Sequence, residues 1–477
     1  MLSLEVLSKD QLYKLHVASL EILEKVGVKF PLEEALKLFD EAGAEVDHKQ
    51  QVVKMPYYLV EECIRKTPHK ITLYGRDPRY SFSVGGDEVH FGTVGFAPRI
   101  LDPKTDKYRA LVKTDLASLA KLADALEHVD FFLTMGQPMD VRLEIGDRYQ
   151  WLISFENIGK HIVNQSLDRD GAIDAIKMGS VICGGEKELR KAPIMTVLVC
   201  LPSPLLHDPG GTEALIEASK LGLPTLVDSG PMAGANSPAT LAGTLTLNVA
   251  ELLSAVVLTR LMNPRAPIIC ATWARSLDMR TGNVVFGSPE FGLLHMCLAQ
   301  MAKFYGIPSA GGGLLCDANT LDVQSGYEKM LTGILPALGG LNMVSGMGLV
   351  ASESIASFEQ LVVDNEMVGM IKRAMRGVNF SEEALAVDLI EKVQFEGNFL
   401  KEKHTLEHFQ SEHWIPTVTN RENADSWLRK GAPNLRDSAR GLAMRILEKH
   451  EPTPISRDIS AELKKIVDLA EQRLKGK

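Results

Sequence analysis

The chain has 477 residues, 45% of them apolar and 24% charged, and a formal net charge of −9. That composition excludes a disordered or collagen-like chain. The acidic balance argues against nucleic acid or an anionic membrane surface as partner.

The first ten residues, MLSLEVLSKD, have no basic stretch ahead of an apolar core, so no signal peptide is expected and the predicted location is cytoplasmic. Ser8 is placed to cap a helix that runs to Gly27, Pro31 opens a second helix closed at Gly43, and 55–67 predicts a third. The stretch 70–108 changes period to short alternating runs split by Gly, Pro and Asp, which predicts a small β element. From Thr114 the rhythm is strand, Gly-rich or polar loop, then helix, repeated roughly seven times. Continuous apolar strands alternating with helices imply a parallel sheet, and that many units around one core favour a closed (β/α)₈ TIM barrel over an open sheet. The predicted α/β chain is thus an N-terminal extension over 1–112, the barrel core over 113–380, and a helical tail over 381–477 packing on the barrel. Two uncharged tracts, 229–250 and 330–352, are long enough for membrane spans. Gly, Pro, Asn and Ser break both, so they read as buried strand–loop–helix segments and no membrane is expected.

The six cysteines form no C-x-x-C pair and no zinc-finger spacing, which reads as buried free thiols. No G-x-G-x-x-G follows the first strand and no P-loop motif occurs, so nucleotide-binding folds lose support. Chemistry in such a barrel sits at the C-terminal strand ends. These carry Gln137, Asn164 and Gln165, Ser203, Asp228 and Ser229, Thr272, Trp273 and Arg275, Gly311 to Gly313, and Ser345 and Gly346. The set offers amides, hydroxyls, one carboxylate, an aromatic and an Arg, but no Ser-His-Asp order, no G-x-S-x-G elbow and no Schiff-base Lys. It suits a compact polar ligand. Nineteen of the 39 glycines fall between Gly210 and Gly348, as if something there needed close backbone approach.

Four long segments, SGPMAGANSPATLAGTLTLNVAELLSAVVLTRLMNPRAPII (229–269), GSPEFGLLHMCLAQMAKFYGIPS (287–309), LDVQSGYEKMLTGILPALGGLNMVSGMG (321–348) and FEQLVVDNEMVGMIKR (358–373), resemble the trimethylamine methyltransferase superfamily. FGTVGFAPRILD (91–102) and GNFLKEKHTLEHF (397–409) fit it too. The resemblance implies a (β/α)₈ barrel and transfer of a methyl group from an amine to Co(I) of a separate corrinoid protein, so cobalamin would be presented by a partner rather than held tightly. The trimethylamine enzymes of that superfamily carry pyrrolysine, whereas this chain has only standard residues. The resemblance therefore points to the non-pyrrolysine branch acting on quaternary amines, with glycine betaine the first choice and proline betaine or carnitine beside it.

A methyl on a quaternary nitrogen leaves behind a neutral amine, so transfer to a strong external nucleophile asks the protein mainly for positioning. The candidates for holding the cation are Trp273, Tyr327 and Phe358, with Asp228 or Glu328 to balance it. Arg275 and His404 are the candidates for a substrate carboxylate, and Gln137 and Gln324 are further polar candidates. Gly311, Gly312 and Gly346 are expected to let the corrinoid approach. Few carboxylates are expected near the methyl, because holding the cation too well slows its loss. Each residue has a structural alternative: Trp273 as a barrel cap, Tyr327 and Phe358 as packing, Arg275 paired with Asp278, and Gln324 with Glu328 as a helix pair. Two other function classes stay open. HTLEH (404–408) matches an inverted metalloprotease motif, H-x-x-E-H, which would make His404 and His408 zinc ligands and Glu407 the acid. The third class is an amine-binding barrel without catalysis. A homo-oligomer is an expectation from the apolar surface such barrels share.

Overall fold

A computed structural model describes residues 2–395 and 397–475. Eight parallel strands close into a barrel: β1 (His90–Thr93), β2 (Phe131–Leu133), β3 (His161–Gln165), β4 (Met195–Leu201), β5 (Thr225–Ser229), β6 (Ile268–Thr272), β7 (Ser309–Gly312) and β8 (Met343–Met347). Neighbours in sequence are neighbours in space, and β8 pairs with β1 to complete the circle. The first strand thus lies before the expected boundary at 113, inside the stretch read as a small β element. Its four residues, HFGT, are too short to show a period.

A helix follows each strand: α1 (Lys113–Ala125), α2 (Gly146–Asn157), α3 (Arg169–Cys183), α4 (Pro209–Leu221), α5 (Leu241–Met262), α6 (Pro289–Tyr305), α7 (Val323–Gly339) and α8 (Phe358–Arg376). The starts of α3 to α8 are set by short polar side chains that accept from the first turn: Asp168, Asp208, Thr240, Ser288, Asp322 and Ser357. Side chains alternating along the strands give two packing layers. Phe131, Leu133, Val163, Leu198, Leu226, Ile269, Ala271, Ala310 and Met343 fill the barrel interior, and alternate residues such as Phe132, Val197, Val227 and Val344 pack outward on the helices. Only α5 is long and apolar enough to cross a membrane, among the described residues, and 78% of its apolar window is buried inside the protein. It is apolar all round because it is covered all round, with the barrel on one side and the N-terminal helices Lys9–Lys25 and Tyr57–Arg65 on the other.

The N-terminal helix starts as expected, with Ser8 and Gln11 forming a reciprocal capping box. At the other end, helices Leu435–Lys449 and Arg457–Lys475 return to the barrel's outer surface, the first against α8 and α1, the second against α2 and α3.

Candidate active site at the C-terminal mouth

The C-terminal strand ends enclose a cavity of about 410 Å³. Its floor is Leu133 and Leu198 from the interior layer, with Cys200 and Asp228 one step higher on β4 and β5. Register sets Asp228 beside Cys200 on one side and Ala271 on the other. Burial pushes the Asp228 carboxyl up to about 6, opposed by the positive charge of Arg275 and by a hydrogen bond with Cys200. The Cys200 thiol, buried next to that carboxylate, is held well above its usual range, so it is not a thiolate nucleophile.

The chain leaving β6 supplies two walls. The Trp273 indole Nε1 donates to Glu353 Oε1 at 2.9 Å, which fixes the plane of the ring. The Arg275 guanidinium lies 5.5 Å over the Phe286 ring, and Nη1 donates to the Trp273 carbonyl at 2.9 Å. Its Nε is buried and has no hydrogen-bond partner among the described residues. A buried, unpaired donor of this kind costs about 1–3 kcal/mol or more unless something accepts from it.

Glu353 sits in the turn joining Leu349–Val350 to Ile355–Ala356, past β8. Ala351, Ser352 and Glu353 all have positive φ (54°, 50° and 68°). Left-handed backbone costs roughly 1–3 kcal/mol per non-glycine residue and persists only where surroundings enforce it. Burial drives the Glu353 carboxyl up to about 7 and nearby Asp228 adds to the rise, while the Trp273 hydrogen bond and Arg275 oppose it. Phe96, also with positive φ (76°), forms the wall after β1. Below the rim, Glu251 of α5 is 1% exposed and accepts from Ser203 Oγ and the Leu205 N–H, each at 2.8 Å, and from Ser229 Oγ. It ties the loop after β4 to β5.

Of the sequence candidates, Asp228, Trp273 and Arg275 meet in this cavity, with the strand-end Ser203 beside them. The others lie elsewhere. Gln137 packs over Gly146 and accepts from Gln150 at 3.3 Å. Gln324 and Glu328 bond to each other at 2.8 Å on α7, as the helix-pair alternative held, and Glu328 also accepts from the Asp317 N–H at 2.8 Å. Tyr327 points outward, 61% exposed, and Phe358 is core. His404 lies on the helix Lys403–Glu412, its Nε2 3.3 Å from the Glu383 carbonyl. Gly311, Gly312 and Gly346 do not line the mouth. A Cβ on Gly311 would meet His295 at 2.7 Å, one on Gly312 would meet Phe291 at 2.4 Å, and one on Gly346 would overlap the Gly313 carbonyl at 1.4 Å. These glycines are small so that β7 and β8 can pack against α6 and against each other. The glycines that face the cavity are Gly95 and Gly230. Two carboxylates, Asp228 and Glu353, face the cavity. The H-x-x-E-H motif gathers no ligand set. Glu407 pairs with Lys403 at 2.7 Å, His408 faces Glu383, and no three His, Cys, Asp or Glu side chains converge among the described residues.

A family model described as trimethylamine methyltransferase matches residues 1–474. The chain belongs to the trimethylamine methyltransferase family. It is 35% identical to a trimethylamine methyltransferase MttB of Desulfitobacterium hafniense over 97% of this chain and 93% of that one. It is 32% identical to a glycine betaine methyltransferase from another strain of that species, over 97% and 96% of the two chains. Among solved structures, the monomethylamine methyltransferase MtmB of Methanosarcina barkeri superposes with a TM-score of 0.56 at 15% identity, covering 94% of this chain and 88% of that one, and so shares the fold. This member of the trimethylamine methyltransferase family is therefore a methyltransferase on a TIM barrel, built from standard residues only.

Sequence reasoning missed Phe96, Asn236, Phe286 and Glu353 as cavity residues. Phe96 lies in FGTVGFAPRILD, where an aromatic after a strand was a usable signal. Glu353 had none, because its place depends on three successive left-handed residues that no composition rule requires.

Proposed function

We propose that the protein moves a methyl group from a small quaternary amine, glycine betaine first among them, to the cobalt of a corrinoid carried by a separate protein. The observation that carries this reading is the unpaired, buried Arg275 Nε set in one aromatic-walled cavity with two carboxylates. Asp228 and Glu353 against one guanidinium leave the cavity net negative when both are ionised, which suits a ligand cation. Arg275 supplies the donor that a ligand carboxylate needs. Trp273 and Phe96 offer faces to a trimethylammonium group at about 0.5–2 kcal/mol each. Phe286 is already covered by Arg275 and supports it instead. The glycine betaine relative at 32% identity supports the same substrate class.

Cys200 is kept neutral, and the carboxylates Asp228 and Glu353 are weak nucleophiles with a raised affinity for protons, so an external methyl acceptor fits this lining better than one from the protein. A reduced corrinoid would supply that acceptor as a very strong nucleophile. The chain's own part is to bind the zwitterion, aim one methyl outward along the barrel axis, and exclude water. Such orientation is worth up to about 7–11 kcal/mol in the best intramolecular cases. Asp228 and Glu353 act against turnover if they hold the cation too tightly, because the amine loses its charge in the transition state. Their raised affinity for protons tempers that effect.

The test is a methylation assay with reduced corrinoid protein and a panel of glycine betaine, proline betaine, carnitine and trimethylamine, read from the cobalt absorption spectrum. Turnover is expected with a betaine. Turnover with trimethylamine alone would overturn the substrate class, and no methylation by any amine would overturn the reaction.

A further inference from the structure

Asp317 does not line the cavity, yet its carboxylate joins two of the loops that frame it. Its Oδ1 accepts from the Phe286 N–H at 2.9 Å and from Ser352 Oγ at 2.8 Å, and its Oδ2 accepts from the Gly287 N–H at 2.9 Å. Those donors come from two different loops. Phe286 and Gly287 end the excursion after β6 and carry the ring under Arg275. Ser352 is the middle residue of the left-handed run that delivers Glu353 to Trp273. Asp317 is itself held from α7, because its N–H donates to Glu328 Oε2 at 2.8 Å while Gln324 Nε2 holds the other oxygen of Glu328 at 2.8 Å.

We propose that Asp317 is a positioning residue for the methyl-transfer site, clamping the loop that carries Phe286 to the turn that carries Glu353. The assignment rests on the cavity being the reaction site. One carboxylate accepting three hydrogen bonds from two loops, each charge-assisted, fixes their separation in a way that no apolar contact does. The Ala351 and Ser352 N–H groups donate to the Ala318 and Cys316 carbonyls at 2.8 and 3.0 Å, so the left-handed run is docked on the segment around Asp317. The Asp317 carboxylate adds the bond that ties this docked turn to the Phe286 loop. Release of Ser352 moves Glu353 away from the Trp273 indole, and release of Phe286 removes the platform under Arg275. Both cavity walls then relax together, although neither has been altered. The same clamp gives Gln324 and Glu328 a purpose as its anchor on α7, at a distance from any ligand.

The test reads the Trp273 wall directly and needs no substrate. Acrylamide quenching of tryptophan emission is measured for the unaltered protein and for Trp273→Phe, the difference being the Trp273 component. The same pair is measured with Asp317→Asn and, as a milder change, Ser352→Ala. The expected result is at least a twofold rise in the Trp273 quenching constant in Asp317→Asn and a smaller rise in Ser352→Ala. The remaining tryptophans, read in the Trp273→Phe background, are expected to stay unchanged, which a general loosening of the fold would not leave so. Glycine betaine KM is expected to rise at least fivefold in Asp317→Asn. An unchanged Trp273 constant in the folded variants overturns the proposal, and Ser352→Ala alone decides it if Asp317→Asn does not fold. A rise in quenching in a protein that binds none of the amines would instead overturn the substrate reading and leave the clamp standing.

Discussion

Arg275 is a charged side chain with a buried, unpaired Nε donor and one aromatic support, and its replacement should separate substrates by their own charge. Arg275→Gln removes the charge and the forked donors while keeping an amide of similar reach. Hydrogen bonds to charged groups contribute about 1.5–3 kcal/mol, so glycine betaine affinity should fall roughly 10- to 100-fold. A quaternary amine without a carboxylate should lose little, and isothermal titration of both ligands checks the contrast. The two carboxylates give a second prediction. Burial raises Asp228 to about 6 and Glu353 to about 7, so both take up protons more readily in the folded protein than in the unfolded chain. A group with a raised acidic pKa contributes stability below its ordinary range, and that contribution is lost as pH rises through the folded value. The ligand-free protein should therefore lose part of its stability between about pH 4.5 and 7. A bound cation favours the ionised forms, so amine affinity should show the opposite trend and weaken by about tenfold from pH 7.5 to 6. Glu353→Gln should flatten the upper part of that profile. At this scale the sequence was legible where a residue sits at a strand end, as with Asp228, Trp273 and Arg275. It was not legible for Glu353, whose position depends on a turn in left-handed backbone and on a clamp from a residue 36 positions earlier.

At the scale of single elements, the barrel strands from β2 onward could be read because most are apolar runs, and even SAGG of β7 lies between the turn that ends one periodic helix and the loop before the next. β1 escaped because four residues show no period and the hairpin strands on either side of it alternate more clearly. The glycine excess was visible but its meaning was not, since a list of glycines does not say what a side chain would strike. The packing now divides them. Gly346→Ala puts a Cβ 1.4 Å from the Gly313 carbonyl, which forces β7 and β8 apart where both are fully buried. Overpacking that shifts backbone costs about 1–3 kcal/mol or more, so this variant should lose much of its stability and its amine binding together. Gly326 lies in the first turns of α7, with ordinary helical φ and nothing within 4 Å of its would-be Cβ. Gly326→Ala should therefore stabilise by about 0.5–1 kcal/mol, through the smaller entropy of the unfolded chain. Melting temperatures of the two variants should move in opposite directions. A loss in Gly346→Ala confined to methyl transfer, with stability intact, would return that glycine to the mouth.

The whole molecule is a barrel fastened from outside by its own ends. The tail was legible as charged helices, but a periodic pattern cannot say which face of the barrel a helix meets. The last helix, Arg457–Lys475, lies across α2 and α3. Its Leu463, Val467 and Ala470 stripe is between 0% and 3% exposed. Polar contacts flank the stripe: Tyr149 donates to Glu471 at 2.6 Å, Arg473 pairs with Asp174, and Ser460 bonds Glu156. None of these residues borders the cavity. Stability and function should therefore come apart here. Leu463→Ala leaves a hole in a fully buried contact, and such truncations cost about 2–5 kcal/mol. The urea midpoint should drop accordingly with little change in slope, because the surface exposed on unfolding hardly changes. Glycine betaine should still bind within about twofold of its original affinity wherever the variant is folded, since the strand ends and their clamps on α5 and α7 are untouched. A variant of normal stability would mean that this helix rests on the barrel without fastening it, and weakened binding in a folded variant would mean that the mouth feels strain transmitted through α2 and α3.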